Sequence, residues 1–278
     1  MKNVRLLIVL LLTANVAVSF AQKKEKIKGN RNVKFVQTAI ENYNTLEIGE
    51  DMEVAVVQGQ APMVEVEADE NLHEVIQFTA SGGRLIVNTS KRITSKKALK
   101  IRVYHTGTLT KIIARDDATL SSLGDISLEK LDIEAANSAE LYITLRAKEF
   151  KLTASERTRT ELNLSSENAS FILNDDSKIE ALINADLCNI DMYQKANARI
   201  DGDINQLSLA LDNTAYFSGK ELTAKNCNLN AEGRSDCYIN ASDKLVIAAS
   251  GSTKVYVYNN PEIDLKTFQG NAILYKKE

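Results

Sequence analysis

One pattern constrains this chain more than any other. An apolar–x–apolar pair is followed eight positions later by a second such pair, and the unit recurs with a period near 19. The clearest copy is Leu245 and Ile247 with Val255 and Val257. The same frame holds Cys227 and Leu229 with Cys237 and Ile239, and Leu131 and Ile133 with Leu141 and Ile143. One anchor per unit gives Ile112, Ile133, Leu152, Leu173, Met192, Leu209, Leu229 and Ile247, whose numbers advance by 21, 19, 21, 19, 17, 20 and 18. Alternation with period two inside each unit means strands rather than helices. Thr160, Gly202 and Gly219 weaken or interrupt the frame.

A second column supports it. Six positions after each anchor stand Ala118, Ala139, Thr158, Ile179, Ala198, Ala215, Ser235 and Thr253, all small except Ile179. Four positions after the anchor the chain often carries a turn former: Asp116, Asn137, Asn213, Gly233, Gly251. Such residues accept tight or left-handed backbone. An antiparallel meander also spaces short strands regularly, but it does not need the same corner chemistry at every full period. A parallel β-solenoid does, because each coil lies on the equivalent residues of the one before. The expected fold is therefore all-β: a single-stranded, right-handed β-helix-like solenoid with coils of about 19 residues, each rising ~4.8 Å.

The ends read differently. Lys2 and Arg5 precede an apolar run from Leu6 to Val18, and Ser19-Phe20-Ala21 supplies small residues before a cut. This is the three-part pattern of a signal peptide over residues 1–21, with cleavage between Ala21 and Gln22. The run is shorter than the ~20 residues of a spanning helix. Residues 22–40 are polar, basic and aperiodic, and read as a flexible leader. The solenoid is expected over 41–278, less regular over 41–108, in regular coils over 109–260, with a C-terminal cap over 261–278 opening at Pro261. Without Lys2 and Arg5 the chain holds 32 basic against 37 acidic residues. That balance excludes a nucleic-acid binder by charge and gives no support for a membrane-surface module.

The first half is rich in strands but less uniform. Its motifs are Leu46-x-Ile48-Gly49, Val54-x-Val56-Val57-Gln58-Gly59, Val64-x-Val66, Asn71-Leu72 and Gly83-x-Leu85-Ile86-Val87. "ENLHEVIQF" (70–78) admits a helical turn or a strand. In this order, and followed by coils with a small residue at the turn that end in "SGSTKVYVY…NP", the chain resembles the head GIN domain family over about 40–275. Members of that family carry Ser-Gly-small turns, which here survive only at 250–252. The resemblance implies an adhesin of the bacterial envelope and carries over no catalytic residue and no ligand.

Candidate chemistry is sparse. Asp116-Asp117 and Asp175-Asp176 offer carboxylates, but neighbours on a strand point to opposite faces and turns favour Asp. Stacked on nearby coils, such acids could still reach the ~5–9 Å separation of a glycosidase pair. Ser250-Gly251-Ser252 lacks the spacing of a phosphate loop and precedes no helix, so it reads as a coil corner. Cys227 and Cys237 fall on inward positions and read as core; Cys188 falls outside the anchor columns and reads as partly exposed. An odd count leaves at least one free thiol, and without a CxxC pair zinc is disfavoured. His73 and His105 read as lone surface histidines. Asn168 and Asn240 each open an Asn-Ala-Ser sequon, of consequence only in a glycosylating host.

No residue is therefore assigned a catalytic, cofactor-binding or metal-binding role, and no cofactor is expected. The reading is an exported, non-enzymatic binding protein of the periplasm or cell surface, taking a polysaccharide or an envelope component as partner. The alternative is a carbohydrate-active β-helix enzyme. Solenoid ends expose strand edges that must be capped, so association into a homo-oligomer through those ends is a further expectation.

Overall fold

A computed structural model describes residues 24–277; the expected signal peptide and its cleavage site lie outside the described residues. The chain forms a parallel β-solenoid of about nine turns with coils of about 19 residues. Its regular part comprises the long strands Ile126–Ala135, Glu140–Ala154, Arg159–Leu173, Lys178–Met192, Asn197–Leu211, Tyr216–Ala231 and Asp236–Ala249. Each pairs in parallel with the next. Along Glu140–Ala154 burial alternates until Lys148 and Glu149, two exposed residues in a row, and then resumes in the opposite phase. The same reversal falls at Glu167–Asn168 and Asp186–Leu187. A phase reversal on a strand is a bend, so every long strand turns a corner and contributes two apolar sides to its coil.

The second corner is a tight turn with left-handed backbone. Asn137, Glu156, Asp175, Gln194, Asn213, Gly233, Gly251 and Gly270 all have positive φ, one per coil. Asx residues and glycine tolerate this region well. Glu156 and Gln194 tolerate it less well and are held there by the ladders on either side.

The stacking corrects two anchors. Leu152 lies against Phe171, not Leu173, and Phe171 against Ile190, not Met192. The true column runs Ile112, Ile133, Leu152, Phe171, Ile190, Leu209, Leu229, Ile247 and Leu265. Its numbers advance by 21, 19, 19, 19, 19, 20, 18 and 18, more evenly than in the sequence frame. A slip of two positions keeps every side chain on its own face, so hydrophobicity alone does not detect it. In the corrected frame Ile179 and Ala198 leave the small-residue column. Ser177 and Ala196 replace them, and all eight corner residues are small and buried. Between the long strands the one step above 19, from Leu209 to Leu229, reflects a bulge opposite Gly202.

The first half closes one end of the solenoid. Thr45–Ile48 lies between Arg84–Thr89 and Lys111–Ala114, and Glu53–Gln58 lies between Leu99–His105 and Thr119–Leu123, all in parallel. The chain thus lays a coil, returns beneath it, and then climbs above it. Outside that lowest coil most pairing turns antiparallel: Met63–Asp69 pairs with Leu99–His105 and with Val33–Ala39, and Ile76–Ser81 pairs with Arg84–Thr89, while Lys26–Lys28 pairs in parallel with Arg92–Ser95. The stretch 70–78 divides between both of its readings, a 3-10 turn at Glu70–Leu72 and a strand from Ile76. Ile27, Phe78, Ala80 and Ile93 pack over the core at this end.

Two expectations about the termini change. The stretch read as a flexible leader carries the strands Lys26–Lys28 and Val33–Ala39. The buried carboxylate of Asp69 fixes it, accepting backbone N–H groups from Arg31, Lys97 and Ala98. At the other terminus the ladder does not stop at Pro261. Glu262–Phe268 pairs in parallel with Asp236–Ala249, and Ile273–Lys276 with Lys254–Tyr258. Residues 262–276 therefore form one more coil. Pro261, lacking an N–H, stands just before its first strand.

Candidate binding surfaces

The acids singled out in the sequence are corner residues. Asp116 accepts a hydrogen bond from Asn137 Nδ2 at 2.8 Å, and Asp175 accepts the backbone N–H of Glu156 at 3.0 Å. On the column of left-handed corners Asp116 and Asp175 are three coils apart, roughly 14 Å at one strand spacing per coil. That exceeds the span of a glycosidase pair. Gly251 is likewise a corner: Ser252 N–H donates to the Gly233 carbonyl at 2.7 Å, and Asn271 N–H donates to the Gly251 carbonyl at 2.6 Å. Among the described residues no cluster of three or more His, Cys, Asp or Glu side chains could hold a metal ion.

All three cysteines are free and buried. Cys188 corrects the reading of partial exposure: it stacks between Ala169 and Leu207 in an inward column. The slip of two positions had moved it out of register. Burial pushes the thiols of Cys188 and Cys227 up to about 12, and that of Cys237 well above its usual value. These thiols act as small apolar core groups. His105 also corrects its reading. It is fully buried, its Nδ1 accepts the N–H of Gly107 at 3.1 Å, and its Nε2 has no partner. Desolvation holds its pKa below the usual imidazole range. His73 is half-buried, with Nε2 3.2 Å from the Lys34 carbonyl. Asn168 is exposed, whereas Asn240 Nδ2 donates to the Lys220 carbonyl at 3.1 Å.

The outer faces carry what the sequence reading missed. On one side Tyr238, Tyr256 and Tyr275 stack in successive coils, with ring centroids 4.4 and 4.8 Å apart and planes within 10°. Tyr216 extends the row with a tilted contact at 5.7 Å. Lys220 lies over the Tyr238 ring at 4.4 Å, a cation–π contact. The signal was present, since Tyr238, Tyr256 and Tyr275 are spaced by one coil period each.

Two grooves that carry rows of polar side chains cross several coils, the second with apolar residues such as Leu209 and Val246 in its lining. At the mid-strand corner Asn184, Asp186, Asp203, Asn205, Thr223 and Lys225 line a groove of about 370 Å³. There Asn205 Nδ2 donates to Asp186 Oδ1 at 2.7 Å. On the adjoining side Ser170, Asn189, Ser208 and Asn228 stack in register along a shallow groove of about 510 Å³. Both present hydroxyl and amide groups at the repeat of the coil. This arrangement suits a ligand with a regular repeat of its own better than a compact small molecule, whose sites are concave and mostly apolar.

Among the described residues no helix is long and apolar enough to cross a membrane. Similar folds are found in solved structures. A putative adhesin from Parabacteroides merdae aligns at a TM-score of 0.64 and 14% identity, covering 91% of this chain and 100% of its own. A putative lipid binding protein from Parabacteroides distasonis aligns at 0.62 and 17%, with 91% and 100% covered. A putative adhesin from Bacteroides fragilis aligns at 0.54 and 15%, with 90% and 100% covered. At these identities the likeness is one of fold. No curated protein matches the chain. The family described as "Putative auto-transporter adhesin, head GIN domain" matches residues 42–182 and 155–261. With its coils, its corners and most of its length inside that match, the chain belongs to this family.

Proposed function

We propose that the protein is exported and works at the bacterial cell envelope as a non-enzymatic binding module, holding a polysaccharide or another polymeric surface component against its outer faces. The observation that carries this reading is the polar groove around Asn184, Asp186, Asp203 and Asn205. It repeats its hydrogen-bonding groups from coil to coil and so offers a repeating polymer equivalent contacts along its length. Membership of an adhesin family supports the surface role. The enzymatic alternative relied on Asp116 and Asp175, and both are engaged in corner hydrogen bonds three coils apart. The test is binding of the mature chain to a panel of envelope polysaccharides, with the double variant Asn184→Ala/Asn205→Ala alongside. Retention of the wild type and at least tenfold weaker retention of the variant are expected, the scale of one lost net hydrogen-bond contribution of ~1.4 kcal/mol. Equal retention of both, or cleavage of any polysaccharide lost on mutating Asp116 or Asp175, would overturn the proposal.

A further inference from the structure

The two ends of the solenoid are finished differently. At the first, antiparallel strands and the side chains of Ile27, Phe78, Ala80 and Ile93 cover the core. At the last coil, among the described residues, nothing does. Ile263, Leu265 and Phe268 continue the inward columns of Leu245, Ile247 and Ala249. The lower three are fully buried, yet Ile263, Leu265 and Phe268 are 40%, 50% and 38% exposed. The apolar column thus runs into solvent, beside the unpaired outer edges of Glu262–Phe268 and Ile273–Lys276.

We infer that a second copy of this chain covers this end, packed tail to tail about a two-fold axis so that the last coils pair antiparallel. Three observations select this occupant. A partner must match a flat coil with two strand edges and an apolar centre, and the same end of another copy has that outline. The first strand of the coil is also self-complementary in charge. It carries Glu262 and Asp264 before Lys266; reversed on itself about Leu265, it sets Asp264 against Lys266 of the partner, twice. Lys266 further sits at a bulge between Leu265 and Thr267, a feature that discourages indiscriminate strand addition and leaves the edge to a partner carrying an acid opposite it. A head-to-tail filament would need a matching open column, and at the other end the core is covered; what is left there is the outer edge of Val33–Ala39, with Phe35 and Val36 exposed. The symmetric contact therefore stops at a dimer. The stack of Tyr238, Tyr256 and Tyr275 ends on this coil as well, with its last ring uncovered by a further tyrosine.

This inference is independent of the ligand proposed for the outer faces. Sedimentation equilibrium of the mature chain is expected to give twice the monomer mass. Leu265→Glu, at a position half exposed within one copy, is expected to give a monomer with unchanged β circular dichroism. Asp264→Lys alone is expected to weaken the dimer roughly tenfold or more, on the scale of close interfacial charge pairs. Adding Lys266→Asp is expected to restore it; because Asp264 and Lys266 also pair at 2.8 Å within one copy, the urea midpoint of the dissociated chain is followed alongside and is expected to be the same in all three. A wild-type monomer at high micromolar concentration, a ladder of higher oligomers, or a double variant no tighter than Asp264→Lys would overturn the inference. So would flotation of wild-type monomer with phospholipid vesicles and its loss in Leu265→Glu, since a lipid surface would then be what covers the coil.

Discussion

The carboxylate of Asp69 and the backbone N–H of Arg31 meet at 3.0 Å, across 38 residues of chain. That bond, with those from Lys97 and Ala98, ties the first described residues to the closed end of the solenoid. Burial opposes a charge on Asp69, but the Lys97, Ala98 and Arg31 N–H groups outweigh it and hold the carboxyl below its usual range. A carboxyl with a depressed folded pKa adds stability above its unfolded value, ~3.9, and the contribution is lost as pH falls through the folded one. Asp69→Ala is expected to make residues 24–40 cleavable by protease at neutral pH, with the rest of the chain intact. In the wild type this cleavage is expected only in strong acid. Mass spectrometry of the fragments reads both.

His105 sets the opposite end of the acid response. The unfolded imidazole takes up a proton near pH ~6.5. The folded one, buried and with Nδ1 engaged as an acceptor, resists until lower pH. Between those values the unfolded state binds more protons, so stability is greatest above ~6.5 and declines as pH falls. The midpoint of thermal unfolding is expected to decline from pH ~6.5 downward in the wild type and to stay flatter in His105→Gln over the same window.

Gly251 tests the corner. Its φ is +74°, and a Cβ there would run into the carbonyl oxygen of Gly233. Gly251→Ala is expected to destabilise by ~1–3 kcal/mol, the cost of a strained backbone position, measured by urea unfolding.

Tyr256 tests the outer stack. It is the middle ring, touching Tyr238 and Tyr275. Two aromatic contacts at ~0.5–1.5 kcal/mol each set the scale, so Tyr256→Ala is expected to cost ~1–3 kcal/mol, and Tyr275→Ala, with one contact, about half as much. Urea unfolding of the two variants beside the wild type reads both.

The solenoid was legible because its inward residues alternate over eight units, and a period of two identifies strands. Its register was less so. Leu173 and Met192 are apolar, inward and two positions from the stacked Phe171 and Ile190, and only the more even steps and the small Ser177 in place of Ile179 distinguish the frames. That same slip hid the core position of Cys188. The ordered leader was not legible because Asp69 imposes it from far along the chain, on a stretch with no pattern of its own. The last coil was missed because Pro261 looked like an end, although a proline just ahead of a strand leaves the following ladder intact. The candidate surface was half legible: the tyrosines keep the period, whereas the groove is defined by corners that polar residues of many kinds can form.

The left-handed corners make every coil a separable length of thread. In the proposed surface role the molecule would be held at one place and pulled at another. Load applied along the axis would meet ladders that peel one coil at a time rather than all at once. Each detached coil of about 19 residues pays out roughly 65 Å of extended chain, at up to ~3.5 Å per residue. Built this way, a copy freed of its partner is expected to yield in small steps under tension, starting from the last coil, and to remain attached while it lengthens.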